Sequence, residues 1–238
     1  MEWRLYVPDR SMGKKNYFCL MGLSFTEENY LKTIFTIAGR RPDRVSNQAI
    51  AIKLNINPAS VTDMLRKLDE KKMIIYSRSS GATLTREGKK VASKVLRKHR
   101  LWETFLVNKM HFSWSEVHEV AEQLEHIQSD KLLDQLDKFL GFPKFDPHGD
   151  PIPDAQSKIL AVNGKPLSEM SAGKAAKVVN VIENDPAFLT YLDKLGIGLK
   201  VVLAVKEVQP VDKSLRIAIK GKKEIFLSRE VAQKILVE

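Results

Sequence analysis

Residues 46–85, SNQAIAIKLNINPASVTDMLRKLDEKKMIIYSRSSGATLT, constrain the fold more than any other stretch of the chain. Ser46 can cap a short helix over 47–54 that turns Ala49, Ile50 and Leu54 to one side. Asn55 to Asn57 makes a tight turn. Pro58 opens a second helix, at a position where its missing N–H costs nothing. That helix runs to about residue 71, with Val61, Leu65 and Leu68 on its apolar face. Two β-rich runs, 73–76 and 82–84, flank a Ser-Ser-Gly turn, the pattern of a β-hairpin. Before the pair, residues 26–38 form an amphipathic helix with Thr26 as cap and Glu27 and Glu28 in the first turn. Its stripe is Tyr30, Leu31, Ile34, Phe35 and Ala38. Helix, helix-turn-helix, hairpin is the order of a winged helix, whose second paired helix enters the DNA major groove while the hairpin touches the neighbouring backbone.

Charge points to the same kind of partner. The 238 residues carry a net +10, and residues 40–100 hold 16 Lys+Arg against 5 Asp+Glu. One segment therefore accounts for the whole excess, as a localised nucleic-acid surface requires. On the second helix of the pair the polar side is Ser60, Thr62, Asp63, Arg66 and Lys67, with Arg78 in the wing. Ser46, Asn57 and Ala59, at the starts of the two helices, complete the expected DNA contacts. A long helix from Thr85 to Met110 follows, basic in its first half through Arg86, Lys89, Lys90, Lys94, Arg97 and Lys98. Some of these are solvated only, and others can meet phosphates.

Residues 101–142 reverse the charge, with 8 Asp+Glu and 3 Lys+Arg. Two helices are expected here, over 114–128 and 130–140, the second with an apolar face of Leu132, Leu133, Leu136, Phe139 and Leu140. The Pro/Gly-rich stretch FPKFDPHGDPIPDAQ closes the helical region. Beyond Pro166, short β-type runs at 177–182, 201–208, 215–219 and 224–227, with a short helix over 186–194, suggest a compact barrel of about 70 residues. Cys19 is the only cysteine, so a cysteine-rich zinc site is excluded. No apolar run is long enough for a membrane span, and the first residues lack the apolar core of a signal peptide, so a cytoplasmic protein is expected. Periodic structure begins after Met21, which makes Met21 an alternative initiator.

Chemistry concentrates in one cluster. His118, Glu122, Glu125 and His126 fall within about 100° of arc if one helix carries them all. The preceding helix offers His99 and Glu103 one turn apart. Carboxylate oxygens with imidazoles suit Mn²⁺ or Fe²⁺ better than thiolate-seeking ions. Surface glutamates and half-buried histidines are common without any ion, but six such residues at turn spacing on adjacent helices favour a metal. His111 and His148 lack such partners in the sequence and read as structural, and Cys19 as incidental. There is no P-loop, G-x-G-x-x-G, G-x-S-x-G or H-E-x-x-H.

The phrases TEENYLKTIF, SVTDMLRKLDEKKMI, LTREGKKVA, RKHRLWETFL, EVHEVAEQLEHIQSD and DPHGDPIP resemble the diphtheria-toxin-repressor family of iron- and manganese-dependent regulators. The tail, FLTYLDKLGIGLKVVLAVKEV onward, resembles the SH3-like domain of its longer members. The resemblance implies a metal-loaded homodimer on a palindromic operator. It also implies one metal position at Glu122, Glu125 and His126 with Asn29 from the first helix, and a neighbouring one at His99, Glu103 and His118. Glutamate at 122 follows the manganese sensors, so Mn²⁺ is the expected cofactor and Fe²⁺ the alternative. Asn29 stands where those sensors have aspartate and Lys32 where some have a carboxylate, which leaves the number of ions open. Ala187 and Thr190 replace polar ligands of the iron-type members, so no ligand is carried over from the third domain.

The expected architecture is mainly α with small β parts: an extension over 1–22, expected to be disordered, a winged helix-turn-helix over 23–95, a helical metal-binding and dimerisation domain over 96–150, a linker over 151–165 and an SH3-like β-barrel over 166–238. The expected function is a metal-dependent DNA-binding repressor of metal-homeostasis genes. A metal-independent winged-helix regulator is the alternative, separated by whether operator binding needs metal. A di-metal carboxylate enzyme would draw ligands from four helices, whereas two supply nearly all of them here.

Overall fold

The structure is a computed structural model that describes residues 22–39, 44–183, 185–219 and 224–238. The expected extension over 1–22, Gly22 apart, and Cys19 lie outside the described residues. The chain divides into two compact units, Met1–Ser93 and Lys94–Glu238.

In the first unit, α1 (Phe25–Ala38) starts two residues earlier than the Thr26 cap predicts. Ser24 is the cap: its hydroxyl accepts from Glu27 N at 3.3 Å, and the Glu27 carboxylate accepts from Ser24 N at 2.8 Å. This reciprocal capping box satisfies two orphan donors at once, which Thr26 could not do. Glu27 also pairs with Lys71 Nζ at 2.7 Å. Burial pushes the Glu27 carboxyl up, but hydrogen bonds from Lys71 and Ser24 outweigh it and hold the group below the usual range. The helices α2 (Asn47–Leu54) and α3 (Pro58–Glu70) follow as expected, joined through Asn55 in the left-handed conformation at φ 53°. Val61, Leu65 and Leu68 of α3 are fully buried, so Leu65→Ala would cost about 2–5 kcal/mol. Strands β1 (Ile74–Ser77) and β2 (Gly81–Leu84) pair antiparallel from Ile74↔Leu84 to Ser77↔Gly81. Gly81 has φ +84°, and a Cβ there would lie 2.3 Å from Val45 O, so only glycine lets the hairpin bridge Val45.

The helix α4 (Arg86–Met110) contains the division between units. In the second unit, α5 (Val117–Leu124) is shorter than the expected 114–128. Ser129, held extended at φ −138°, caps α6 (Asp130–Phe139) by accepting from Leu132 N, and a residue so placed cannot continue a helix. Glu125, the C-cap of α5, and His126 sit in the turn after the helix rather than on it. Leu101 of α4, Leu136 of α6 and Ile152 form one small core, and Leu106, Val117 and Ala121 another.

The C-terminal strands are β3 (Lys165–Pro166), β4 (Ala175–Val181), β5 (Val202–Val208), β6 (Leu215–Ile219), β7 (Ile225–Leu227) and β8 (Ile235–Val237). Helix α7 (Pro186–Leu195) precedes β5, and α8 (Arg229–Gln233) precedes β8. They form one antiparallel six-stranded sheet in the order β3-β8-β4-β5-β6-β7, over a core that includes Val178, Leu189, Leu203 and Ile217. This corrects two expectations: the fold is mixed α/β, and the sheet is open rather than a closed barrel. Its edge strands are two and three residues long, and β3 includes a proline, which has no N–H to offer a further ladder. Among the described residues, no helix is long and apolar enough to cross a membrane.

Candidate metal centre and nucleic-acid interface

The residues expected to meet DNA lie on the outside of the first unit. Ala59, Ser60, Asp63, Arg66 and Lys67 are exposed along α3, and Arg78 is exposed in the hairpin turn. Ser46 and Asn57 are exposed too, but their side chains cap α2 and α3, accepting from Ala49 N and Ala59 N. Thr62 is half-buried and its hydroxyl accepts from Asn47 Nδ2 at 3.0 Å. Arg44, which sequence reasoning passed over, reaches Ser80 at the hairpin tip at 2.8 Å.

In the second unit, α4 and the α5 region bring imidazoles and carboxylates together. His99 Nδ1 lies 2.7 Å from Glu125 Oε2, and His99 Nε2 lies 3.0 Å from Glu103 Oε1 and 3.1 Å from His118 Nδ1. His118 Nε2 lies 3.5 Å from Glu122 Oε1. Ligand atoms of His99, His118 and Glu122 all lie within 4.8 Å of one another. Glu125 is fully buried, and His126, also buried, lies 3.6 Å from it through Nε2. Burial alone would push the Glu103 carboxyl up, but the charge of His99 and hydrogen bonds from His118 and His99 hold it well below the usual carboxylate range. The group is thus ionised and ready to ligate.

A second cluster was not visible in the sequence. Glu103, Asp146 and His148, all buried, place ligand atoms within the same 4.8 Å. His148, expected to be structural, therefore joins Glu103, which the sequence reading grouped with His99 and His118. The DPHGDPIP loop makes the difference. Asp146 Oδ1 accepts from His148 N at 2.8 Å and Asp150 N at 2.9 Å, folding the loop back on itself. Gly149 sits at φ +91°, where a Cβ would come within 2.2 Å of Val179 O. Arg100 fixes the loop to α4 through Asp146 at 3.4 Å, Asp150 at 3.1 Å and Pro151 O at 2.6 Å. Burial, reinforced by the charges of Glu103 and Asp150, pushes the Asp146 carboxyl well above its usual range. Burial likewise lowers the His148 imidazole, which keeps it neutral and able to donate a lone pair. Its Nε2 is buried with no hydrogen-bond partner among the described residues. Asp193 of α7 is another group near His148: partial burial raises its carboxyl, and the neighbouring His148 imidazole and a Trp114 backbone hydrogen bond offset this only in part.

Both clusters fit a divalent cation. They hold only nitrogen and oxygen donors, several of them buried, and include one donor atom without a partner. Asn29 lies on α1 in the first unit, and its side-chain oxygen is buried and without a hydrogen-bond partner among the described residues.

Three family models match the chain in order. They are the iron dependent repressor N-terminal DNA binding domain over residues 22–82, the iron dependent repressor metal binding and dimerisation domain over 85–154, and the FeoA domain over 165–238. The iron-dependent repressor IdeR of Mycobacterium leprae (strain TN) is 30% identical over 227 residues, 90% of this chain and 96% of that protein. The chain belongs to the iron-dependent repressor family. A further relative of this repressor is the HTH-type transcriptional regulator MntR of Geobacillus thermodenitrificans (strain NG80-2), 30% identical over 44% of this chain and 84% of that one. A solved manganese-dependent transcriptional repressor in complex with manganese superposes with TM-score 0.77 at 34% identity, covering 89% of this chain and 98% of that chain. The structure of ScaR with bound Zn²⁺ superposes with TM-score 0.71 at 31% identity and the same coverage.

Proposed function

We propose that this repressor is activated by Mn²⁺, with Fe²⁺ as the alternative ion, and then binds a palindromic operator as a homodimer to control metal-homeostasis genes in the cytoplasm. The observation that carries the metal reading is the convergence of His99, His118 and Glu122 beside buried Glu125. The relatives' names cite iron, manganese and zinc, so kinship points to a divalent cation and the donor set must choose among ions. Glu122 supplies oxygen where a thiolate would favour softer ions.

His99, His118, Glu122, Glu125 and His126 would hold the activating ion. Glu103, Asp146 and His148 offer a second position, giving up to two ions per chain. A bound cation supplies positive charge that lets these carboxylates share one small volume. In its absence a proton on Asp146, whose carboxyl burial pushes above its usual range, relieves part of that crowding. Metal uptake requires deprotonated ligands, so it competes with protons and weakens as pH falls.

For DNA we assign residues 23–95, with α3 in the major groove and the β1–β2 hairpin beside it. For dimerisation we assign α6: Leu132 and Phe139, two turns apart, are 40% and 63% exposed, and Phe142 beyond them is 64% exposed. Large apolar groups so exposed on one helix and its end are what a partner copy covers. The deciding experiment selects an operator from a random duplex pool and measures binding by the wild type and Glu122→Ala, anaerobically, with Mn²⁺ or Fe²⁺. Metal-dependent binding lost in the variant supports the assignment. Equal metal-dependent binding by both refutes it.

A further inference from the structure

Asn47 of α2 aims one amide nitrogen at two hydroxyls, Thr62 Oγ1 on α3 and Tyr76 Oη on β1, each at 3.0 Å. An amide nitrogen has two protons and no lone pair to give, so both hydroxyls act as acceptors. Thr62 sends its own proton to Pro58 O at 3.4 Å, inside the helix. Tyr76 differs. Its oxygen is engaged by Asn47, and among the described residues its phenolic proton has no acceptor. The residue is half-buried and is pinned at its backbone as well, Tyr76 N donating to Asp69 Oδ1 at 3.0 Å. The hydroxyl thus stands beside the expected recognition helix, on the wing strand that leads into Arg78, with no acceptor for its proton among the described residues.

We propose that Tyr76 is a DNA-contacting residue that donates its phenolic proton to a backbone phosphate, and that Asn47 is the positioning residue that aims it. The inference rests on the assignment of α3 and the hairpin as the DNA interface. The ligand chemistry is a phosphodiester oxygen of duplex DNA. Phenols are regular donors to such oxygens, and contacts of this kind set register without reading sequence. A phenol is also neutral, so unlike Arg66 or Arg78 it displaces no condensed counterion. Asn47 does two things at once: it locks Thr62 of the reading helix and Tyr76 of the wing to one point on α2, so the two DNA-facing elements keep a fixed spacing.

The test uses the full chain with Mn²⁺, by fluorescence anisotropy on the selected operator and on a random-sequence duplex, across a range of salt. Tyr76→Phe keeps the ring and removes the oxygen. It should weaken binding about a hundredfold, roughly one charge-assisted hydrogen bond from each subunit of the dimer, and equally on both duplexes. The salt slope should stay at the wild-type value, whereas Arg78→Ala should reduce it by about two, one for each subunit of the dimer. Asn47→Ala should cost less in the Tyr76→Phe background than in the wild type, because both changes remove the same contact. If Tyr76→Phe binds like the wild type, or loses affinity for the operator alone, the phosphate contact is refuted, since a loss confined to the operator means a tilted reading helix. A fall in melting temperature with binding lost on both duplexes but no coupling to Asn47 refutes it as well. If Arg66→Ala and Arg78→Ala also leave binding unchanged, the interface assignment itself fails.

Discussion

His99 touches Glu125 through one ring nitrogen, 2.7 Å from Nδ1 to Oε2, and Glu103 through the other, 3.0 Å from Nε2 to Oε1. Both carboxylates are buried. One imidazole therefore separates two groups that would otherwise repel each other in a low-dielectric site. Glu103 then belongs also to the cluster with Asp146 and His148, so His99 and Glu103 connect the two candidate ion positions.

Glu122 and Glu125 should respond differently to truncation. Glu122 has a side chain 34% exposed, so Glu122→Ala should change stability by less than about 0.5 kcal/mol while removing metal-activated operator binding. Glu125→Ala strips a buried partner from His99 and should cost about 1–3 kcal/mol in the metal-free protein. Thermal unfolding of both variants, with and without Mn²⁺, checks this pair. Glu122→Cys should shift the response towards Fe²⁺ or Zn²⁺.

Asp146 makes the stability of the metal-free protein fall as pH rises above the ordinary carboxylate range. Its folded-state pKa lies above the ordinary value of 3.8, so the folded chain binds a proton that the unfolded chain releases. The contribution of Asp146 to stability is present below that ordinary value and is lost as pH rises towards the folded value. Asp146→Asn keeps an oxygen for His148 N and Asp150 N but cannot ionise. The variant should therefore gain stability relative to the wild type as pH rises above about 4 towards neutrality. It should also show a smaller rise in melting temperature on adding Mn²⁺. Unfolding midpoints between pH 4 and 8, with chelator and with Mn²⁺, read out both effects.

Much of this was legible in the sequence. The Ser46 cap, the Asn55 turn and Pro58 are local signals, and α2, α3 and the hairpin follow them. The pairing of Glu103 with Asp146 and His148 was not legible, because it depends on where the DPHGDPIP loop lands. That landing is set by Arg100, 46 positions before Asp146, and no periodicity records it. The end of α5 was hidden for a related reason. Periodicity places Glu125 and His126 on a helix, but α5 ends at Leu124 and the next helix starts only behind the Ser129 cap. The open sheet was missed because β-runs report strands and not whether the first meets the last.

Binding to DNA should weaken steeply with salt, because the +11 excess lies in residues 40–100. A dimer neutralising about six to ten phosphates would lose roughly 10³–10⁵ in affinity between 50 and 200 mM salt. Titrations at a series of salt concentrations give the slope, and a flat one would exclude the basic face as the main source of affinity.

Phe139→Asp should break the dimer. The side chain is 63% exposed in the single chain, so the substitution should leave the protomer folded and place a charge in the apolar contact. Sedimentation at micromolar concentration should show dimer for the wild type and monomer for the variant, with operator affinity lost alongside.

The central claim is that a cation held by His99, His118, Glu122 and Glu125 turns on DNA binding. Its most direct test is operator binding as a function of free Mn²⁺, starting from protein stripped with chelator. The account predicts only weak, sequence-independent binding without metal and a saturable gain of at least about a hundredfold with it, absent in Glu122→Ala. Stripped protein that binds the operator as tightly as the Mn²⁺-loaded form would contradict it.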